Sequence, residues 1–570
     1  MDKHQLLKKY WGYSKFRSYQ EQIIDSLLEG KDVMGILPTG EGKSLCYQLP
    51  ALITDGPVLV ISPLIALMID QVKQLEKIGI KAMYLESHSK SLPIQHQIDN
   101  CIHGNYKLVY SSPERFLNPL FIQQLTYANF SIIAIDEAHC ISEWGHDFRP
   151  SYRKLSVLRD LYLKTPILAL TASATSKVID DIRNVLKLKE VKVYKSSFER
   201  SNISYNVWKT KDKYSSVIQL LAKNKGASII YCSTRKLTEN LAQFINQKGY
   251  KATFFHGGLS AEKKKKKLEA WQSGETLHMI ATTAFGMGID KADVRTIIHF
   301  QLPESIENFY QETGRSGRDK KEAFCYLLYQ NNDPKELKNQ FLKKIPTSSD
   351  IENLYKDLCN FFQIAYGEGK GAYFSLDLNN FCKRYNRNFN KTEQTLKFFE
   401  LAGVFSLVSS KEKQLRFNIT ASLDQVILYM HKRNLAAQIL EYLMRRSPNF
   451  FNETTILSSK KISKSFKISF DRLLDEFEVL KQRSILEFKI HESNIEINPL
   501  TPREDKYTIK PVIDLVKKIY SIKKNKIEKM IQFSQNDQLC KRNAILAYFG
   551  ENRSEICNKC SANSCNNFSM

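Results

Sequence analysis

Ser131-Ile132-Ile133-Ala134-Ile135-Asp136-Glu137-Ala138-His139 is an apolar run that ends on two carboxylates and a histidine. Upstream, a second apolar stretch, Val33 to Leu37, runs into Pro38-Thr39-Gly40-Glu41-Gly42-Lys43-Ser44. A strand that stops at a glycine-bearing loop ending in Lys-Ser has the make-up of a phosphate cradle. Gly40 and Gly42 let backbone N–H groups close on phosphate oxygens without Cβ obstruction, at the start of a helix whose dipole favours anions. Lys43 supplies a point charge for the β- and γ-phosphates, and the Ser44 hydroxyl is a hard oxygen ligand for Mg2+. Asp136 would complete the metal's shell through water, and Glu137 would orient and deprotonate an attacking water. Together the two segments point to phosphoryl transfer from a nucleoside triphosphate to water. The strict G-x4-G-K-[ST] pattern is not met, because Leu37 stands where the first glycine belongs.

Composition narrows the partners. At 570 residues the chain should hold three or four domains, each large enough to bury a core. The formal net charge is +24, from 84 Lys+Arg against 60 Asp+Glu. Such an excess implies attraction to a polyanion, most simply nucleic acid. Met1 to Tyr13 carries lysines but no apolar core, so no signal peptide is expected there. Pro57 to Ile69, the longest mainly apolar run, is interrupted by Ser62 and Pro63 and is too short to span a bilayer, so no membrane partner is expected. The 11 cysteines are sparse until Cys557, Cys560 and Cys565. That distribution suits reduced thiols and a metal site, and hence a cytoplasmic protein.

Short β-rich runs alternate with stretches of helical composition between Lys31 and about Val207: Val58–Ile61, Leu108–Tyr110, Ile132–Ile135 and Ile167–Leu170. The pattern repeats at Ile229–Tyr231, Thr253–Phe255, Met279–Ala281 and Thr296–Phe300. Alternation of this kind predicts two successive βαβ units, each with a parallel sheet, and the phosphate loop lies in the first. After about Pro346 the texture changes. Lys391 to Ala402 reads as a helix stopped by Gly403, followed by Val404–Val408 and Leu415–Asn418 alternating around a polar turn, Ser409 to Gln414. Phe470–Gln482, Ile485–Ile490 and Asn494–Ile497 repeat the theme. Helix plus two-stranded hairpin fits a winged-helix unit, and any α+β domain could also give it.

Asp136-Glu137-Ala138-His139-Cys140-Ile141-Ser142-Glu143-Trp144-Gly145-His146-Asp147-Phe148-Arg149-Pro150 closely resembles the RecQ family of superfamily 2 DNA helicases. The resemblance runs from about residue 5 to 330 and returns at Cys540 to Cys565. It implies a fold of two tandem RecA-like parallel-sheet lobes, 1–206 and 207–345. An α+β winged-helix-like region, 346–509, and a small helical zinc module, 510–570, would come after them. Phe16-Arg17-Ser18-Tyr19-Gln20 looks like the adenine-reading element, with Gln20 on the base edge and Tyr13 or Arg17 packed against it. Ser62 to Met68 and Ser112 to Phe116 are similar to strand-contacting segments, and Thr171 to Thr175 looks like the motif coupling the ATP and DNA sites. Ala284 to Asp290 and Gln311 to Arg318 match the last two helicase motifs. The resemblance adds His139 to the catalytic group, and Thr39, Glu41, Gly288, Asp290 and Gln311 to the nucleotide-binding group.

Charge in a phosphoryl-transfer transition state spreads over the γ-phosphate oxygens, where arginines from a facing lobe stabilise it. Arg315 and Arg318, at i and i+3, are expected on one helical face. Trp144, His146, Phe148 and Arg149 form an aromatic-plus-basic loop suited to stacking on unpaired bases, and in the family this loop senses single-stranded DNA. Lys263 to Lys267 reads as a solvated helix face. Lys510 to Lys529 reads as an amphipathic helix whose basic face, with Lys517, Lys518, Lys523, Lys524 and Lys526, is the better nucleic-acid patch.

Cys540-x16-Cys557-x2-Cys560-x4-Cys565 could surround one Zn2+ in a closed, structural site. The last gap is wider than the family's usual x2. Some 200 residues also separate this module from the second lobe, which it follows directly in the best-known members. The implied function is ATP-dependent 3′→5′ unwinding of DNA in recombination and repair, with ATP, Mg2+ and Zn2+ as cofactors. Its substrate would be DNA with a single-stranded 3′ tail, junctions included, at the nucleoid. A translocase or RNA helicase that does not unwind DNA, and an ATP-gated DNA-binding scaffold, are the alternatives.

Overall fold

The computed structural model describes residues 2–85, 94–145, 147–286, 291–410, 414–446, 455–491 and 494–565. The chain divides into two units: Met1–Leu342 with Ile522–Met570, and Lys343–Ser521.

The first unit holds two parallel sheets. Strands β1 (Val33–Ile36), β2 (Val58–Ile61), β3 (Ala82–Tyr84), β4 (Leu108–Ser111), β5 (Ile132–Ile135), β6 (Ile167–Thr171) and β7 (Lys192–Lys195) form the first. Their spatial order is β3-β4-β2-β5-β6-β1-β7. Strands β8 (Ile203–Lys209), β9 (Ala227–Tyr231), β10 (Ala252–Phe255), β11 (His278–Ala281), β12 (Val294–His299) and β13 (Ala323–Tyr329) form the second, ordered β10-β11-β9-β12-β13-β8. The central strands are continuous Val/Ile/Leu runs because helices cover both faces, and β1, β2, β5 and β6 are buried throughout. In the first sheet the loops after the C-terminal ends of β1 and β5 carry the phosphate cradle and the carboxylates, as open parallel sheets favour. In the second, Arg315 and Arg318 lie in the turn before β13, at the strands' N-terminal edge, where the Gly317 amide donates to the carbonyl of Val294, the first residue of β12.

Helices α1 (Gln20–Leu28) and α3 (Ile306–Thr313) contribute Gln20 and Gln311 to the interlobe cleft, and α2 (Ser176–Val185) lies beside the aromatic loop. Helix α3 ends before the arginine pair. Thr313 is its last residue and Gly317 takes φ +55°, so Arg315 and Arg318 stand in a turn and not on the helical face the spacing predicts. The helix ends on its cap, Gly314, at φ −63°, and Gly317 supplies the left-handed position that the following turn demands.

In the second unit, β14 (Phe374–Asp377), β15 (Phe405–Ser410), β16 (Gln414–Ile419), β17 (Thr455–Ser458), β18 (Leu486–His491) and β19 (Asn494–Pro499) form two three-stranded antiparallel sheets. Their orders, β14-β19-β15 and β17-β16-β18, overturn the expected hairpins. Strands β15 and β16 do not pair with each other. Instead β15 pairs with β19 from Phe405↔Pro499 to Ser410↔Asn494, and β16 pairs with β18 from Gln414↔His491 to Ile419↔Leu486. One module is thus inserted into the hairpin of another. The outer module buries Ile351, Leu376, Phe381, Leu396, Phe399 and Ile497, and carries helices α4 (Leu378–Arg384) and α5 (Phe389–Leu401). The inner one buries Leu415, Phe417, Leu440, Leu443, Phe477 and Leu486, and carries α6 (Ser459–Phe466) and α7 (Phe470–Gln482).

A 30-residue helix, α8 (Lys506–Gln535), leads back to the first unit. Its Ile509, Val512 and Val516 join the outer module's core, and Ile527, Met530 and Phe533 join the core of the first unit. Helix α9 (Lys541–Tyr548) and the terminal cysteines come next. No helix among the described residues is long and apolar enough to cross a membrane.

Candidate functional site

The loop after β1 is built around its glycines. Gly40 has φ +88° and Gly42 φ +73°, and a Cβ on Gly42 would lie 2.8 Å from Gln20 Nε2. Gln20, at the start of α1, donates to the carbonyls of Glu41 (2.9 Å) and Gly42 (3.0 Å), and its Oε1 accepts from the Arg17 amide at 2.8 Å. Arg17 donates to the Gly40 carbonyl at 2.6 Å and sits over the Tyr13 ring at 5.8 Å. Gln20 and Arg17 therefore brace the phosphate loop itself. The helix after the loop, Leu45–Gln48, is a single turn, so loop N–H groups rather than a long dipole would hold an anion.

Asp136 and Glu137 follow β5. Glu137 is in the left-handed region, φ +50°, and its amide donates to Asp136 Oδ1 at 3.0 Å. Tyr152 Oη donates to the Asp136 carbonyl at 2.9 Å. Burial pushes the Asp136 carboxyl above the usual carboxylate range; Glu137's charge adds to this and Lys43 opposes it. Burial also acts to raise Glu137, but the neighbouring His139 ring, with Lys43 and Arg315, reverses this and holds it below the usual carboxylate range. His139 is wholly buried, its Nδ1 2.9 Å from Thr171 Oγ1 and 3.2 Å from Glu137 Oε2. The Glu137 carboxylate lines the cleft beside the phosphate loop, where it can accept a proton from a water.

Tyr13, Arg17, Gln20, Thr39, Gly40, Gly42, Lys43, Ser44, Asp136 and Glu137 line a cleft of about 620 Å3, and so do Gln311, Arg315 and Arg318 from beyond the second sheet. The lobes touch here. Thr39 Oγ1 donates to the Gly314 carbonyl at 3.2 Å, and a Cβ on Gly314 would lie 2.2 Å from that hydroxyl. Arg318 Cγ lies 3.6 Å from where a Cβ on Gly40 would stand. Arg315 donates to the Gly286 carbonyl, and Gln311 Nε2 to Ser173 Oγ at 3.1 Å. Gly288, Asp290 and His146 lie outside the described residues. Glu41 contributes its carbonyl to Gln20 and is not among the lining side chains.

Sequence reasoning missed Arg200. From the interlobe connection it donates to Ser316 O (3.1 Å) and Gly317 O (3.2 Å), and lies 3.5 Å from the Thr39 carbonyl. It carries no motif signal, since its partners are backbone carbonyls distant in sequence.

Trp144 is half-buried against the core, its ring under Lys177 Nζ of α2 at 4.7 Å. Phe148 and Arg149 are half-buried too. The Arg149 guanidinium bonds to Asp147 and to the Pro63 carbonyl at 2.9 Å, joining the loop to the Ser62–Met68 segment. Gly145 is obligatory, as a Cβ there would come within 2.2 Å of the His139 carbonyl.

The sulfurs of Cys540, Cys557, Cys560 and Cys565 all lie within 4.8 Å of one another. The separations Cys540–Cys560 (3.9 Å), Cys557–Cys565 (3.9 Å) and Cys560–Cys565 (3.4 Å) bracket the ~3.8 Å edge of a tetrahedral Zn–S4 site with ~2.3 Å bonds. The Lys541 amide donates to Cys560 Sγ at 3.3 Å, an outer contact that favours a thiolate. Cys565 is fully buried in the cluster despite its wider spacing. The module packs on the interlobe connection: Phe549 stacks on Phe198 at 4.3 Å, and Arg542 pairs with Glu199 at 3.0 Å.

Two parallel-sheet lobes with a phosphate loop on one and paired arginines on the other define a DEAD/DEAH-type helicase core. Accordingly, residues 17–182 match the DEAD/DEAH box helicase family, 212–320 the helicase conserved C-terminal domain, and 503–567 the RecQ zinc-binding family. The chain is 44% identical over 347 residues to the ATP-dependent DNA helicase RecQ of Haemophilus influenzae, covering 60% of this chain and 55% of the relative. It is 39% identical to RecQ of Bacillus subtilis, covering 64% of each. It is 43% identical to the probable ATP-dependent DNA helicase RecS of Bacillus subtilis, covering 62% of this chain and 72% of the relative. The chain belongs to the RecQ family. It spans between 54% and 64% of the length of the RecQ relatives it matches. Among solved structures, DNA-bound helicase MrfA shares the two-lobed fold, with a TM-score of 0.50 at 18% identity, covering 60% of this chain and 50% of that one.

Proposed function

We propose that this chain is an ATP-dependent DNA helicase that unwinds duplex DNA with 3′→5′ polarity, in recombination and repair, at the nucleoid. The observation that carries this reading is the cleft itself, where Lys43, Ser44, Asp136 and Glu137 face Gln311, Arg315 and Arg318. Relatives named ATP-dependent DNA helicases support the substrate. In this reading residues 1–206 and 207–345 are the motor lobes, 346–509 a winged-helix-like region and 510–570 the zinc module. Lys43 holds the β- and γ-phosphates, and Tyr13, Arg17 and Gln20 hold the base, Gln20 and Arg17 by exchanging the loop carbonyls they bond here for the nucleotide. Ser44 and Asp136 hold Mg2+, which would neutralise charge on the phosphates. Glu137 takes the proton of the attacking water, and Arg315 and Arg318 meet the transferring phosphoryl group. Trp144, Phe148 and Arg149 contact the single strand. Zn2+ on the four cysteines would be structural, with no open position for chemistry.

A strand-displacement assay on 3′-tailed and 5′-tailed DNA, with an RNA duplex as control, tests the reading. Unwinding should require ATP and the 3′ tail, and Lys43→Ala should abolish it. Unwinding by the Lys43→Ala chain would mean that ATP is bound elsewhere.

A further inference from the structure

We infer that Lys526 is a positioning residue that ties the aromatic loop to helix α3, and so sets how strongly single-stranded DNA stimulates ATP hydrolysis; this rests on the helicase reading above. The basic stretch of α8 does not present Lys526 to solvent. Its side chain is 12% exposed, against 53% for Lys524. Nζ donates to the Trp144 and Gly145 carbonyls, each at 2.7 Å, and lies 3.3 Å from Glu307 Oε1. An ammonium has three protons, and these three acceptors account for all of them.

The three acceptors belong to different parts of the motor. Trp144 and Gly145 are in the first lobe, Trp144 eight residues beyond Asp136. Glu307 is on α3 in the second lobe and is 6% exposed. Three residues earlier in each segment, Lys523 pairs at 2.7 Å with Glu304, just ahead of α3, so α8 and the α3 segment are joined by two rungs. The same α3 presents Gln311 to Ser173 and runs through Gly314 to Arg315 and Arg318. The Trp144 ring is meanwhile faced by Lys177, and the Gly145 turn is pressed on the His139 carbonyl. A strand that shifts Trp144 therefore acts on Lys526, and through Glu307 on the helix that leads to the arginines. Charge-assisted bonds in a buried setting are strong enough to transmit such a shift, and removing the cation leaves the loop's carbonyls and Glu307 without it.

The test uses the full chain, measuring ATP hydrolysis with and without oligo(dT), and oligo(dT) binding by fluorescence anisotropy. Lys526→Met should lower the DNA-saturated kcat about tenfold, equivalent to ~1.4 kcal/mol of coupling. Its DNA-free rate and its oligo(dT) affinity should stay within about threefold of the parent, because phosphate contacts dominate affinity. Lys526→Arg, which keeps a multi-donor cation, should recover most of the stimulation. Glu307→Gln should also lose stimulation, and adding it to Lys526→Met should cost little more. Equal stimulation of Lys526→Met and parent would overturn the inference, as would an equal fall in both rates or a loss confined to DNA affinity. If Lys526→Met does not melt as a folded chain, Glu307→Gln decides, and its unchanged stimulation overturns the inference. A parent chain that DNA does not stimulate would instead overturn the helicase reading.

Discussion

At the scale of single residues, the nucleotide site is a set of short-range constraints that meet from both lobes. Arg318 and Arg315 differ in what they already do. Arg315 is committed to the Gly286 carbonyl, whereas the Arg318 stem lies beside Gly40. Arg318→Ala is accordingly expected to lower kcat by about a thousandfold while the ATP concentration for half-saturation changes only a few-fold, measured by steady-state ATPase. Loss of ATP binding instead would place Arg318 in ground-state recognition. These residues were legible in the sequence because each sits in a motif with its own chemical logic. Arg200 was not, because a side chain whose acceptors are distant backbone carbonyls leaves no local pattern. The burial of Lys526 was not legible either, since a lysine on a basic helix looks solvated until its acceptors are known.

Among elements, the strands of the motor were readable and the pairing of the later strands was not. Val404–Val408 and Leu415–Asn418 have strand composition around a polar turn, yet each pairs with a strand some 70 to 90 residues later. Alternation sets which face is buried; it does not select the partner. Because Ser410 and Asn494 are opposed in the ladder, replacing residues 411–493 by a two-residue Asn-Gly turn should leave the outer module folded. Circular dichroism and a cooperative melt of residues 343–521 carrying that deletion would check it, and a featureless melt would refute the inserted architecture. Strand β11 carries a pH liability. Burial holds His278, 2.8 Å from Ser228 Oγ, down at about 4 from an ordinary 6.5. Between those values the unfolded chain binds the extra proton, so stability is full above pH ~6.5 and falls toward pH 4, by on the order of 3 kcal/mol. His278→Gln should flatten that acid-side decline in calorimetric melts at matched pH. An unchanged pH profile would show that other groups govern it.

At the scale of the whole molecule, the zinc-type module comes some 200 residues after the second lobe in sequence, yet it packs within the same unit as both lobes. Phe549 on Phe198 and Arg542 on Glu199 fix it to the interlobe connection. The purified chain should carry one zinc per molecule by elemental analysis. Chelation or Cys560→Ser should lower its Tm by several degrees and weaken ATP turnover, through loss of the support for that connection. A metal-free chain with unchanged melting would assign the four cysteines no structural role. What the sequence determined by itself was the chemistry and the two parallel-sheet units: continuous apolar strands, glycines at left-handed turns and paired carboxylates are local properties, dictated by sterics and burial. Only the tertiary structure decided which strand lies beside which, where the arginine turn departs from its helix, and that Lys526 spans two lobes. Those outcomes depend on contacts between residues tens to hundreds of positions apart, and such contacts leave no imprint on local composition.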